Sequence, residues 1–191
     1  MRHIGTIMNH ASNHFAIPQL MDWTILPAKV IARAWVDSDF KQELINHPAT
    51  ILQEASSRWP SAKNKSFIIV EDSESIRHLI LPFFKTSLKS LPRERVLEIL
   101  KFETGEDTSL KWFLPAEAIA KAFFDQEYKK ELLQDASMAL KRCGYVMDDL
   151  RYRVVENTVD TSHLVLPINP LGNRDRTFQI LHESLIGEFS C

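Results

Sequence analysis

Few residues have the chemical reach for catalysis or metal binding, and they are poorly grouped. Seven histidines are present, and His3, His10 and His14 crowd the N-terminus. No acid or cysteine stands beside them at ligand spacing, so they read as a solvated arm. The two cysteines are Cys143, between a helical and a strand-like stretch, and Cys191. That is no disulfide framework, and neither thiol sits in a Cys-x-x-Cys pair. Glu71-Asp72 suggests a carboxylate pair, but the matching dipeptide later in the chain is Glu156-Asn157, and turn capping explains both. His78 and His163 begin apolar runs. They read as structural histidines that hydrogen-bond a preceding turn, not as general bases. No Gly-rich phosphate loop or activated serine motif occurs. No catalytic residue, metal ligand set or cofactor is therefore expected.

The elements that hold these residues are duplicated. Leu26–Leu52 (LPAKVIARAWVDSDFKQELINHPATIL) and Leu114–Leu140 (LPAEAIAKAFFDQEYKKELLQDASMAL) lie 88 residues apart and are identical at 11 of 27 positions. A second block follows each: Ser66–Pro82 (SFIIVEDSESIRHLILP) and Arg151–Pro167 (RYRVVENTVDTSHLVLP), 85 residues apart. Two blocks in the same order indicate one duplicated unit. Pro27 and Pro115 suit a first helical turn. Ile31, Ala34, Trp35 and Ile119, Ala122, Phe123 then recur at helical spacing, and Trp35, Phe123 and Phe124 read as core. Asp37 and Asp125 either cap a second helix or point outward from a continuous one. His47-Pro48 interrupts or restarts the first copy's helix. Residues 71–75 and 156–160 are polar turns between two short strands, each pair read as a hairpin, with Pro82 and Pro167 ending the second strand.

The expected fold class is therefore α+β: two repeated helix-helix-strand-strand units. The expected layout is an arm (1–24), unit 1 (25–84), a linker (85–112) with a helix over Leu91–Glu103, unit 2 (113–168) and a tail (169–191). Phe178, Leu181, Leu185 and Ile186 in the tail are spaced for a short amphipathic helix. Units of this size are small for independent cores, so they should pack together or exchange strands.

Composition narrows the partners. Lys plus Arg total 23 against 25 Asp plus Glu, a net charge of -2. That balance supplies no drive toward nucleic acid or an anionic membrane. No apolar run reaches membrane-span length, and no signal-peptide pattern is evident. A cytoplasmic location is expected.

The residues also carry a resemblance. LPAEAIAKAFFDQEYKKELLQD followed by RVVENTVDTSHLVLP resembles the nitrile-hydratase-like leader peptides, the proteusin-type precursors of ribosomally made, modified natural products. That leader is itself similar to the front of the nitrile hydratase alpha subunit. The second unit matches this pattern most closely and the first is the more divergent copy. The resemblance implies a recognition or structural motif made of Glu156, Asn157, Thr158, His163, Leu164, Val165, Leu166 and Pro167, with Glu71, Asp72 and His78 in the first copy. It implies no enzyme of the metal-dependent kind. In nitrile hydratase alpha subunits a Cys-x-x-Cys-Ser-Cys cluster follows this segment and binds iron or cobalt. Here the stretch is Pro167-Ile168-Asn169-Pro170, and in the first copy Pro82-Phe83-Phe84-Lys85. The implied function is a non-enzymatic leader-type protein, recognised by peptide-modifying enzymes or a protease or transporter. The tail is then a candidate core peptide and Cys191 a candidate modification site. The other reading is an alpha-like subunit or assembly protein without the metal centre. A homodimer is a further expectation.

Overall fold

In the computed structural model, residues 25–55, 65–84, 86–104, 114–145 and 148–170 are described. The helices are α1 (Ala28–Val36), α2 (Ser38–Asn46), α3 (Pro48–Ala55), α4 (Arg93–Thr104), α5 (Ala116–Phe124), α6 (Gln126–Gln134) and α7 (Ala136–Arg142). The strands are β1 (Ser66–Glu71), β2 (Ile76–Leu81), β3 (Arg151–Glu156) and β4 (Thr161–Leu166). A short 3-10 turn (Thr86–Ser90) precedes α4. The architecture is mixed helix and strand, and each copy carries three helices where the sequence pattern suggested two.

Aspartates make the extra breaks. Asp37 is extended, ends α1 and accepts the Phe40 N–H at 2.9 Å, so it caps α2. Asp125 repeats this with Tyr128 at 2.9 Å. The capping alternative is thus the one realised, and each aspartate, extended, separates two helices. A third break follows: Asp135 caps α7 through the Met138 N–H, while in the first copy Pro48 begins α3. Pro27 and Pro115 sit one position earlier than expected, as the N-cap residues of α1 and α5. Helix α7 closes on Gly144, whose φ of 85° only glycine adopts freely. The Gly144 and Tyr145 amides bond back to the Lys141 and Leu140 carbonyls, which satisfies the helix end.

The strands do not form the expected hairpins. β1 pairs with β4 and β2 with β3, both parallel, in two separate two-stranded sheets. Each unit thus gives its second strand to the other. The hydrogen bonds come in equivalent pairs. Ser66 N–H donates to Asp160 O at 2.7 Å, and Arg151 N–H to Ser75 O at 2.9 Å. Asp72 N–H donates to Leu166 O at 3.0 Å, and Asn157 N–H to Leu81 O at 2.9 Å. The second-block offset of 85 residues therefore acts as an internal pseudo-twofold.

Core packing follows the exchange. Leu164 and Leu166 of β4 join Leu26, Val30, Leu44, Leu52 and Phe67 of the first copy. Leu79 and Leu81 of β2 join Ile119, Leu132, Leu140 and Val154 of the second. Helix α4 adds Val96, Ile99 and Leu100 to that second core. A fully buried leucine contributes about 1.5–3 kcal/mol, so neither sequence unit keeps its core if the other's strand is withdrawn. Module A below denotes α1–α3 with β1 and β4, and module B denotes α4–α7 with β2 and β3.

Candidate functional site

The motif residues gather where the strands cross between modules. Asp72 and Asn157 occupy equivalent positions just past β1 and β3, and they are 4% and 1% exposed. Each folds its side chain across the turn. Asp72 Oδ1 accepts the His78 N–H at 2.7 Å and lies 3.1 Å from His78 Nδ1. Asn157 Oδ1 accepts the His163 N–H at 2.7 Å, with Nδ1 at 3.3 Å. The two histidines thus bond the acidic or amide side chain of the turn, and His78 holds a charged partner where His163 holds a neutral one. Arg77 Nε lies 4.0 Å from the second Asp72 oxygen. The matching Asn157 Nδ2 has no partner among the described residues. A buried amide left unpaired costs about 1–3 kcal/mol, so this half of the motif is the less satisfied. Burial lowers the His163 pKa from its ordinary value. The hydrogen-bonded Glu156 backbone raises it, and the neighbouring His78 lowers it again.

The carboxylates diverge. Glu71 ends β1 and pairs with Lys41, and Glu156 ends β3 and pairs with Lys129. Both glutamates are strand residues, not turn residues as the sequence suggested. Their lysines lie on α2 and α6, so each pair ties a helix to a strand. Lys41 and Lys129 match at the repeat offset of 88 residues, as Glu71 and Glu156 do at 85. Glu71 and Asp72 face separate partners, Lys41 for the first and His78 with Arg77 for the second. Thr158 closes its turn through its N–H to Thr161 O at 2.9 Å. Leu164, Val165 and Leu166 are buried. The Pro167 carbonyl accepts the Trp35 indole N–H at 2.7 Å. Trp35 packs against core A, whereas Phe124, read as core, is 42% exposed.

Sequence reasoning missed a second cluster in module B. The Cys143 thiol donates to the Tyr128 hydroxyl at 3.5 Å, and Lys121 Nζ lies 3.6 Å from the sulfur. The same ammonium sits 4.2 Å from the Tyr128 ring centroid. Arg33 lies 4.1 Å over Phe40 at the equivalent place in module A. The cation–ring pair is therefore a repeated packing device, worth about 0.5–2 kcal/mol. Burial pushes the Tyr128 phenol well above its ordinary range.

Around the end of β4 the polar side chains are Trp35, Ser38, Lys41, Glu71, Asp72, Glu74 and Asn169. None is a thiolate, and both Glu71 and Asp72 are engaged as above. This donor set does not fit the soft-ligand iron or cobalt centre that the resemblance brings into question. No group of three metal-ligating side chains occurs among the described residues. Cys191, the N-terminal histidines and the expected tail helix lie outside the described residues.

Residues 10–94 match the family model for the nitrile hydratase alpha chain. That match falls on the first unit, although the leader resemblance is closest in the second. The low-molecular-weight cobalt-containing nitrile hydratase subunit alpha of Rhodococcus rhodochrous is 24% identical over 169 residues, 85% of this chain and 69% of that subunit. Two double mutants of the Fe-type nitrile hydratase from Comamonas testosteroni Ni1 superpose with TM-scores of 0.43 and 0.45, each at 22% identity. These matches cover 77% and 81% of this chain, and 60% and 64% of the solved chains. The chain thus spans less than two thirds of those structures. It is similar to nitrile hydratase alpha chains. No helix among the described residues is long and apolar enough to cross a membrane.

Proposed function

We propose that this nitrile-hydratase-alpha-like chain is non-enzymatic and acts as a leader-type protein in the biosynthesis of ribosomally made, modified peptides. Its folded body is recognised by maturation enzymes, and the segment from residue 169 onward is the candidate substrate, with Cys191 as a modification position. One observation supports the non-enzymatic reading. Where the alpha-chain resemblance requires thiolates, the chain has Pro167-Ile168-Asn169, and the Pro167 carbonyl is held by the Trp35 indole. A backbone locked in that way serves packing, and its neighbours are hard or cationic groups unsuited to a thiolate-type centre.

Intact-mass spectrometry of the protein from its native host tests the role. A mass shift confined to the tail after Pro167, or cleavage there, is the expected result. An unmodified full-length chain sinks it. Stoichiometric cobalt or iron in the purified protein would overturn the non-enzymatic reading separately.

A second reading is an alpha-like subunit or assembly protein. It is favoured by similarity to a protein described as a subunit over 85% of this chain. Isolation of an unmodified chain in a stable heteromer from the host supports it.

A further inference from the structure

The pseudo-twofold leaves one groove filled and its counterpart open. In module B the chain leaving β2 places Phe84 on Phe123, with ring centroids 4.6 Å apart. Phe123 in turn meets Phe124 edge-on at 5.0 Å. In module A the equivalent positions are Asn169, Trp35 and Val36. Asn169 supplies no ring, and an open groove of about 550 Å³ remains beside Trp35. Val36 on its wall is 43% exposed. Helix α4 packs on α5 in module B.

The rims carry different charge. Glu71, Asp72 and Glu74 line the open groove, where the filled one has Glu156, Asn157 and Val159 at the equivalent positions. Lys41 answers Glu71, and His78 with Arg77 answers Asp72. Glu74 is exposed and in no ion pair among the described residues. Phe84, which fills module B, is followed in sequence by Lys85, an aromatic residue and then a cation.

We propose that the Trp35 groove of module A is a docking site for a partner polypeptide that presents an aromatic side chain next to a Lys or Arg. The aromatic ring takes the place that Phe84 takes in module B, stacked on Trp35. The cation meets Glu74 at the rim. Stacked aromatics gain about 0.5–1.5 kcal/mol beyond their buried area, and Trp anchors are typical of binding hot spots. The site exists whether the chain is a leader or a subunit, so it stands or falls apart from the function proposed above.

The probe is a fluorescein-labelled synthetic peptide of residues 82–90, which carries Phe83, Phe84 and Lys85, titrated into the full chain by anisotropy. Saturable binding is expected. Trp35→Ala should weaken it by about tenfold or more. Trp35 also holds Pro167, so Glu74→Lys, an exposed rim change without folding cost, is the second variant. It should weaken binding several-fold, and circular dichroism should show both variants folded. The same peptide with Phe84→Ala should bind more weakly. Absence of saturable binding overturns the proposal, as does binding that neither Trp35→Ala nor Glu74→Lys changes. Binding that appears only after removal of residues 171–191 assigns the groove to the chain's own C-terminal segment and also overturns it.

Discussion

Replacing Leu164 with alanine tests the strand exchange directly. Leu164 is fully buried in β4, within the core built on α1–α3. The substitution removes three buried carbons at about 0.8 kcal/mol each, or about 2.4 kcal/mol of transfer free energy. The unfilled cavity brings the expected loss to about 2.7–5 kcal/mol. The register places Leu164 beside Ile69 of β1. Ile69 is half-buried, so Ile69→Ala should cost roughly half its full transfer value, about 1.2 kcal/mol. Neighbours that share packing are not additive, and their coupling energy falls in the range of about 0.5–3 kcal/mol. Urea unfolding of the two single variants and the double variant measures it. A hairpin would place Ile69 next to β2 instead. The control cycle is therefore Ile69→Ala with Leu79→Ala, at the repeat-equivalent of Leu164, which should couple by less than about 0.5 kcal/mol. Strong coupling to Leu79 and none to Leu164 would refute the exchanged topology.

The caps offer a second test: Asp37→Ala and Asp125→Ala should each lower stability by about 0.5–2 kcal/mol in urea melts, and Asn at either position should recover most of the loss. Trp35→Phe removes the bond to Pro167 while keeping a ring, as the second copy does with Phe123. It should cost about 0.5–1.5 kcal/mol in the same assay. His163 gives a pH signature. Its folded pKa lies below the unfolded value, so on the acid side the unfolded chain binds more protons. Stability should be complete above the ordinary histidine value of 6.5 and fall as pH drops through it toward the folded value. His163→Gln should flatten that part of a urea-midpoint profile, and an unchanged profile would argue against the buried neutral imidazole. Asn157→Asp would give His163 the carboxylate partner that His78 already has. Its resonances in an NMR titration should then move to higher pH, and a static titration would count against the pairing.

The duplication was legible because both copies kept the same small set of residues. Leu26-Pro27-Ala28 against Leu114-Pro115-Ala116, and Pro82 against Pro167, marked element starts and stops by local chemistry. A proline ends a strand or opens a helix wherever it stands. The linker helix was equally visible in Val96, Ile99 and Leu100. The third helix was signalled in the first copy by His47-Pro48 but not in the second, because Asp135 lies inside a run whose helical period continues through it. Only the capping bond to Met138 reveals the break.

The site was legible in part. His78 and His163 were placed as turn-binding histidines from their position alone, and both bond the turn side chain. Glu71 and Glu156 were misplaced by one residue because strand ends have no local mark as strong as proline. Their lysine partners lie about 30 residues upstream on helices, which no local pattern discloses.

Local sequence determined what is decided within a few residues of the chain: the first two helices of each copy, the proline stops after the second strands, the repeat and the lack of a cysteine cluster after β4. Tertiary structure decided which strand pairs with which. Hairpin and exchanged pairings use the same apolar strands and the same turns, so the sequence pattern does not separate them. The difference lies in which helices cover Leu164 and Leu79, a contact between residues more than a hundred positions apart in one case. The same long-range choice brings Pro167 to Trp35 and Phe84 to Phe123, and with them one groove filled and one left open.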